Sequence, residues 1–490
     1  MKKTIFNQWF SLFLILLLAL ALRLYKINIP LADHHSWRQA DTAAVARNFI
    51  KEGFDFFQPR IDNMTSLHIG TPNPKRLFLV EPPIYQTIVA GLYRVFGVQE
   101  FLARLVSIFF SLGMIIFLFL LVKELFNEWI GLLAAFFAAV LPYSIFYSRV
   151  ILPEPMMLFT SMGMLYFFNR WLAKGDSVKR FIFALLFTSW SLALKTFPLF
   201  LALPMFYLVW RRYQFNLFRQ KKLWLFSVLA ILPFVAWRLW IARFPEGVPR
   251  YDWLFNQGGI RFRPAFFRWI FAERIGKLIL GYWGLPLLVF GLILKPKEKE
   301  GWFFHLWLVS FFAYVCVLAA GNVTHDYYQI PFIPIAAVFL AKSVYWLLVR
   351  ARKEFSRLLG FIAVLACVLF MLGFSWFEVR GFYLIQGGVD LAGQAVDQLF
   401  PKDALVLTGD SNDVTLLYNT NRYGWTGGYA SYFPNIPESI ENAKNLGATV
   451  YVTTKFEESL EFGQYMVENY PMVKRTNQYV IFSLESNVQD

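Results

Sequence analysis

Asp33-His34-His35-Ser36-Trp37-Arg38-Gln39-Ala40-Asp41 follows directly on the first hydrophobic run of the chain. Acids, imidazoles and a guanidinium are costly to hold against a membrane face and mark function where they occur. Further ionisable outliers lie near residues 81, 149–154, 195 and 325–328, among long apolar stretches. Once topology is assigned, all of them fall at the same membrane face. Polar groups scattered in sequence but gathered at one depth read as an active site.

The composition fixes the class. The 490 residues are 57% hydrophobic and 16% charged, include 55 phenylalanines and have a mean hydropathy of +0.47. A soluble chain carries about 25% charge, so this is a polytopic α-helical membrane protein. The net charge of +15 comes mostly from Lys and Arg placed between apolar runs. That pattern is topology rather than nucleic-acid binding. Cys316 and Cys367 both lie inside apolar runs and read as small core hydrophobes.

A spanning helix needs about 20 apolar residues. Eleven runs qualify: about 9–25, 103–122, 129–147, 155–172, 180–194, 196–210, 223–242, 276–294, 302–320, 330–349 and 358–377. The fifth and sixth are short and meet at Leu194-Lys195-Thr196-Phe197-Pro198. Short basic connectors (Lys2-Lys3, Lys174 to Arg180, Arg211 to Lys222, Lys295 to Lys299, Arg350 to Arg357) are assigned to the cytoplasm. The longer mixed connectors, about 26–102, 148–154, 243–275 and 321–329, and everything after 378 face outside. The first run also resembles a signal peptide, but Arg23 and Lys26 stand where a small-residue cleavage site belongs, which favours a retained helix.

This gives two expected domains: a transmembrane domain over 1–377, with its first outer loop at 26–102, and an extracytoplasmic α/β domain over 378–490. In the tail, Ala404–Thr408, Thr449–Thr453 and Tyr479–Leu484 alternate like strands. Asp413–Tyr418, Glu438–Leu446 and Glu457–Tyr470 pattern like helices. Its length suffices for a core of its own. Gly409-Asp410-Ser411 lacks a glycine-rich phosphate fingerprint.

Several outer groups are candidates for chemistry. Ala40–Ile50 has helical spacing and suggests a helix along the interface, with Asp41 in its first turn. There a carboxylate is stabilised by the helix dipole, so Asp41 also reads as a plain capping acid. Glu81-Pro82-Pro83-Ile84-Tyr85 enters an amphipathic segment reaching Phe96. Ser148-Arg149 and Glu154 share one short loop, where a local ion pair is the plain alternative. Lys195 sits at outer depth, where snorkelling is the plain alternative. Asn322-Val-Thr-His325-Asp326-Tyr327-Tyr328 lies at the mouth of the tenth run. Arg250, Arg261, Arg263, Arg268 and Arg274 stand among Trp and Phe in an outer loop, against the positive-inside trend. Guanidinium groups suit bidentate phosphate contact, so this loop is a candidate site for an anionic lipid head group.

In this order, the clusters resemble the bacterial members of glycosyltransferase family 39. That family belongs to the GT-C superfamily, alongside the protein O-mannosyltransferases and the aminoarabinose transferase. The carrying pieces are His35-Ser-Trp37-Arg38-Gln39-Ala-Asp41-Thr42, Glu81-Pro82-Pro83-Ile84-Tyr85, Arg149-Val-Ile-Leu-Pro153-Glu154 and His325-Asp326-Tyr327-Tyr328-Gln-Ile-Pro331, within about residues 1–350. The resemblance implies a GT-C fold in the plasma (inner) membrane with an extracytoplasmic active site. It implies inverting transfer of a hexosyl or pentosyl group from a polyprenyl-phosphate sugar to a lipid, glycan or protein acceptor.

The family acid is often an Asp-Glu pair. Here Asp41 precedes Thr42 and Asp33 comes earlier, so both stand as candidates, and Glu81 replaces a usual Lys or His. Arg38, Arg149, Lys195, Arg261, Arg263, His325 and Tyr328 are the candidate holders of the leaving phosphate. Glu154 either orients Arg149 or binds a divalent metal (Mg or Mn), and the reaction itself does not require one. The alternatives are a polyprenyl-linked glycan transporter or flippase, or a glycan ligase. A transporter would place its charges near the midplane within repeats, and no repeat is visible.

Overall fold

The computed structural model describes residues 2–65, 67, 72–173, 175, 177–297, 299–350, 357–411, 413–427 and 436–485. Most of the connector at 350–357 lies outside the described residues. The chain divides into two compact units. One comprises Met1–Ile27, Arg104–Leu239 and Tyr251–Gly381; the other comprises Asn28–Ala103, Trp240–Arg250 and Phe382–Asp490.

The first unit is helical. All eleven apolar runs contain helix. Among the described residues, four helices are long and apolar enough to cross a membrane: Glu100–Leu125, Lys221–Ile241, Phe332–Val349 and Leu358–Tyr383. Pro264–Ile279 and Gly284–Ile293 qualify together as one span bent by 112°. At this bend Gly281 takes φ +48°, and a Cβ there would lie 2.4 Å from the Met371 carbonyl oxygen. The turn therefore needs both the left-handed backbone and the missing side chain. Gly291 does similar work, since its added Cβ would meet the Phe339 carbonyl oxygen at 2.1 Å. A small residue lets the two helices approach backbone to backbone, as membrane packing favours.

A buried arginine and a helix break order the helix ends. Arg23, fully buried, donates to the carbonyls of Ala138 and Ala139 at 3.2 and 2.9 Å and to Ser111 Oγ at 2.8 Å. The break expected near Lys195 is real: the Val178–Leu194 helix ends there, and a short turn at Phe197–Leu199 precedes the Ala202–Tyr213 helix.

The second unit joins residues 28–103 to the tail. Strands β1 (Leu405–Thr408), β2 (Gly424–Thr426), β3 (Ala448–Thr453), β4 (Met472–Arg475) and β5 (Val480–Ser483) form one sheet in the order β2-β1-β3-β5-β4. β2 and β3 run parallel to β1, while β5 runs antiparallel to β3 and to β4. β2 and β4 have no counterpart in the sequence reading.

Alternation buries both faces of this sheet. Val406, Val450, Val452 and Ile481 pack with Ala392, Val396, Leu416 and Leu417. Leu407, Tyr451, Val480 and Phe482 pack with Ile440, Ala443 and Met466. The segment after the first helix enters both layers, Ala32 in the first and Met64 against the second. Residues 378–381 fall in the first unit, just beyond the sequence boundary at 377/378, while 28–103 fall with the tail in the second.

Candidate functional site

In the second unit the chain turns at His35, whose left-handed backbone (φ 55°) opens a helix over Ser36–Lys51. The helix starts four residues earlier than the spacing of Ala40–Ile50 suggests. Asp41 therefore lies in its second turn rather than its first, so it does not cap the helix. The Asp33 carbonyl accepts the Ser36 N–H at 3.0 Å, and the Asp33 carboxylate accepts Gln39 Nε2 at 2.8 Å. Asp33 thus holds the turn that starts the helix.

The second candidate segment lies beside it. Pro82 and Pro83 end the extended run and lead into the Ile84–Phe96 helix, as their fixed φ favours. Glu81 Oε1 meets Arg38 Nη2 at 3.0 Å with both side chains buried, and the Arg38 guanidinium lies 5.0 Å from the centre of the Phe78 ring. About two and a half turns further along the helix, Arg47 pairs with Asp62 and donates to the Tyr418 carbonyl at 3.0 Å. Asn48 Nδ2 also donates to Asp62, at 3.0 Å.

Asp41 is 9% exposed and stands among these charges. Burial raises its pKa from 3.8 to about 7; Arg38 opposes the rise, while Asp62 and Asp413 add to it. A carboxylate poised near neutrality is suited to taking and releasing a proton. Arg38, Asp41 and Glu81 are thus one cluster, and Asp33 holds the turn before it. Asp62 and Asp413, which help set the proton affinity of Asp41, carry no motif signal in the sequence.

The first unit holds the remaining candidates. Arg149 is fully buried, donates to the Lys26 carbonyl at 2.9 Å and faces the Phe146 ring at 5.5 Å. Glu154 Oε1 meets Lys195 Nζ at 3.1 Å. The extended backbone before Pro198 thus brings a lysine to the start of the Glu154–Ala173 helix.

His325 joins the Ala319–Thr324 helix to the turn at Asp326–Gln329. Its ring lies 5.6 Å from Trp253 and 5.6 Å from Tyr328. Asp326 anchors this turn: its carboxylate accepts the Tyr147 hydroxyl and lies 3.7 Å from Arg274, and its carbonyl accepts the Tyr143 hydroxyl at 2.5 Å. Gly321 makes room, since a Cβ there would sit 2.6 Å from the Tyr328 ring.

The arginine loop is not uniform. Arg261 spends its guanidinium on the carbonyls of Phe255 and Val317, at 3.1 and 3.0 Å. Arg268 pairs with Glu273 at 3.4 Å, and Arg274 donates to the Val323 carbonyl at 3.2 Å. Arg263 is exposed. Arg250 belongs to the second unit, where its N–H donates to the Leu67 carbonyl at 3.3 Å.

The family model for dolichyl-phosphate-mannose-protein mannosyltransferases matches residues 80–240. Among solved structures, ArnT from Cupriavidus metallidurans bound to undecaprenyl phosphate is similar with a TM-score of 0.65 at 14% identity, covering 97% of this chain and 98% of that one. The Archaeoglobus fulgidus oligosaccharyltransferase in its apo form gives a TM-score of 0.60 at 12% identity, over 91% of this chain and 69% of its own. The arabinofuranosyltransferase AftD from Mycobacteria gives 0.58 at 11% identity, over 97% and 40%. No curated protein matches the chain. The chain shares the GT-C fold of these solved structures along nearly its whole length, and the family model matches about a third of it.

Proposed function

We propose that this protein is a membrane glycosyltransferase. It moves a sugar from a polyprenyl-phosphate donor to a lipid, glycan or protein acceptor on the extracytoplasmic face, with inversion. The fold supports the class, and the ArnT structure that it resembles along nearly its whole length was obtained with undecaprenyl phosphate. The observation that carries the chemistry is Asp41, buried and held near a pKa of about 7 beside Arg38.

In this reading Asp41 accepts the proton of the acceptor hydroxyl as its oxygen attacks the anomeric carbon. The sugar–phosphate bond breaks on the opposite side, and the electron pair leaves with the polyprenyl phosphate. Lys195, His325 and Tyr328, with Arg149 and the exposed Arg263, are assigned to the phosphate. Arg38 is assigned to Asp41 and Glu81, because it is already paired with Glu81. Arg261 is a weaker candidate than its sequence position suggests, since its Nη2 already serves two backbone carbonyls.

Glu154 is assigned to holding Lys195. A divalent ion at this carboxylate would face the ammonium already placed there at 3.1 Å. The residues do not fit a metal at that position.

The test is transfer in vitro by the full chain, using a panel of polyprenyl-phosphate sugars and lipid, glycan and peptide acceptors. Donor-dependent product with inverted anomeric configuration supports the reading. Absence of product with every donor, together with donor movement across a sealed bilayer, would replace it with a transporter.

A further inference from the structure

A second cluster of charge lies where several helices of the first unit end, and the reaction does not use it. The Glu100–Leu125 span ends at this point and the Phe332–Val349 span approaches its end there. Between them opens a cavity of about 470 Å³, lined in part by Phe126, Lys295, Lys297, Lys299, Glu300 and Lys342. Four lysines face one glutamate among the described lining residues.

Lys342 is 6% exposed, and its ammonium lies 5.6 Å from the Phe126 ring and 5.5 Å from the Phe339 ring. One backbone carbonyl, that of Leu294, accepts from it at 3.3 Å. An ammonium carries three donors. Glu300 is tied to its own turn, with Oε1 accepting the Lys297 N–H at 2.8 Å. The other three lysines are exposed at the rim.

The plain explanation is that lysines near helix C-termini satisfy the last carbonyls. It accounts for the one bond of Lys342. It does not account for three more lysines around an open volume of a size that suits a small ligand. We propose that this cavity binds the phosphate of an anionic membrane phospholipid.

The location favours a lipid over free phosphate. The cavity lies at the ends of spanning helices, the depth of lipid head groups, and Tyr345 and Trp346 line it as interfacial aromatics do. Basic pockets between helix ends are a recurrent way of holding anionic head groups. The inference stands on membrane insertion and does not depend on glycosyl transfer.

The test uses the purified full chain in a zwitterionic detergent. Short-chain phosphatidylglycerol, phosphatidylcholine and inorganic phosphate are each titrated, with binding followed by native mass spectrometry and by the thermal midpoint. Phosphatidylglycerol should bind about tenfold more tightly than phosphatidylcholine. The rim variant Lys295→Gln/Lys297→Gln/Lys299→Gln and the floor variant Lys342→Gln should each weaken it about tenfold. The rim positions are exposed, so that variant keeps the test valid if Lys342→Gln fails to fold. Equal binding of the two lipids, or phosphatidylglycerol binding unchanged in the rim variant, overturns the proposal. Displacement of phosphatidylglycerol by an equal concentration of inorganic phosphate overturns the lipid as the source.

Discussion

If Asp41 is the base, its titration should govern the pH profile of transfer. Only the ionised carboxylate accepts the acceptor's proton. With a pKa of about 7, roughly one molecule in ten is ionised at pH 6, and the rate should fall about tenfold for each further pH unit downward. The assay is the initial rate with labelled polyprenyl-phosphate sugar at limiting acceptor, from pH 5.5 to 8.5. Neighbours give the signed controls. Arg38 lowers this pKa and Asp413 raises it. Arg38→Gln should therefore move the acidic limb to higher pH, and Asp413→Asn should move it to lower pH. Asn keeps an oxygen at position 413 for the Thr415 N–H, which Asp413 accepts at 2.8 Å. Asp41→Asn should cost about 10²–10⁴ in rate. The stability sign runs the other way. Burial favours the neutral acid, so the contribution of Asp41 to folding is fully present below 3.8 and is lost as pH rises through about 7. At pH 8 Asp41→Asn should leave the thermal midpoint unchanged or raised. A profile flat from pH 5.5 to 8, or near-normal transfer by Asp41→Asn with loss in Asp33→Asn, would refute the assignment.

Lys195→Ala and His325→Ala should each weaken donor use about tenfold or more, with little change in acceptor dependence; donor titrations at fixed acceptor read this, and unchanged donor curves in both would sink the phosphate assignment. Because Lys195→Ala strands the buried Glu154, its thermal midpoint should fall and recover in Lys195→Ala/Glu154→Gln, while donor use stays impaired in the double variant. Gly321→Val should push Tyr328 aside and reduce transfer with the protein still folded by size exclusion, whereas Gly91→Ala, with open space at its Cβ position, should act as wild type. Arg47→Met should destabilise the second unit by about 3–5 kcal/mol by leaving Asp62 buried without its cation, and Arg47→Met/Asp62→Leu should recover much of that in a denaturant titration.

The helices were legible because apolar runs of spanning length are a one-dimensional signal. The break at Lys195 was legible for a related reason: a charge followed by Phe-Pro interrupts two runs too short to be independent of it. The pairings β2 and β4 were not legible. Gly424-Trp-Thr426 is three residues long, and Met472–Arg475 is mostly exposed, so neither shows the alternation of a half-buried strand. The helix start at Ser36 was missed because a left-handed His35 has no strong sequence mark; glycine or asparagine is the usual signature at such a backbone.

The candidate site divides along the same line. Motif residues declared themselves by type and spacing, but their partners did not. Nothing local to Glu154 names Lys195, and nothing local to Asp41 names Asp62 or Asp413. A pKa near neutrality at Asp41 is a property of burial and of charges drawn from three separate stretches of chain, so no window of sequence contains it. The same reasoning separates the arginines. In sequence, Arg261, Arg263 and Arg268 are equivalent cations in one loop. In the structure Arg261 is occupied by two carbonyls and Arg268 by a carboxylate, while Arg263 stays at the surface. A guanidinium whose Nη2 already serves backbone carbonyls has fewer of its five N–H donors left for a phosphate, and each charge-assisted bond is worth roughly 1.5–3 kcal/mol. Arg263 makes no such side-chain bond among the described residues, which is why the donor phosphate is assigned to it ahead of its neighbours.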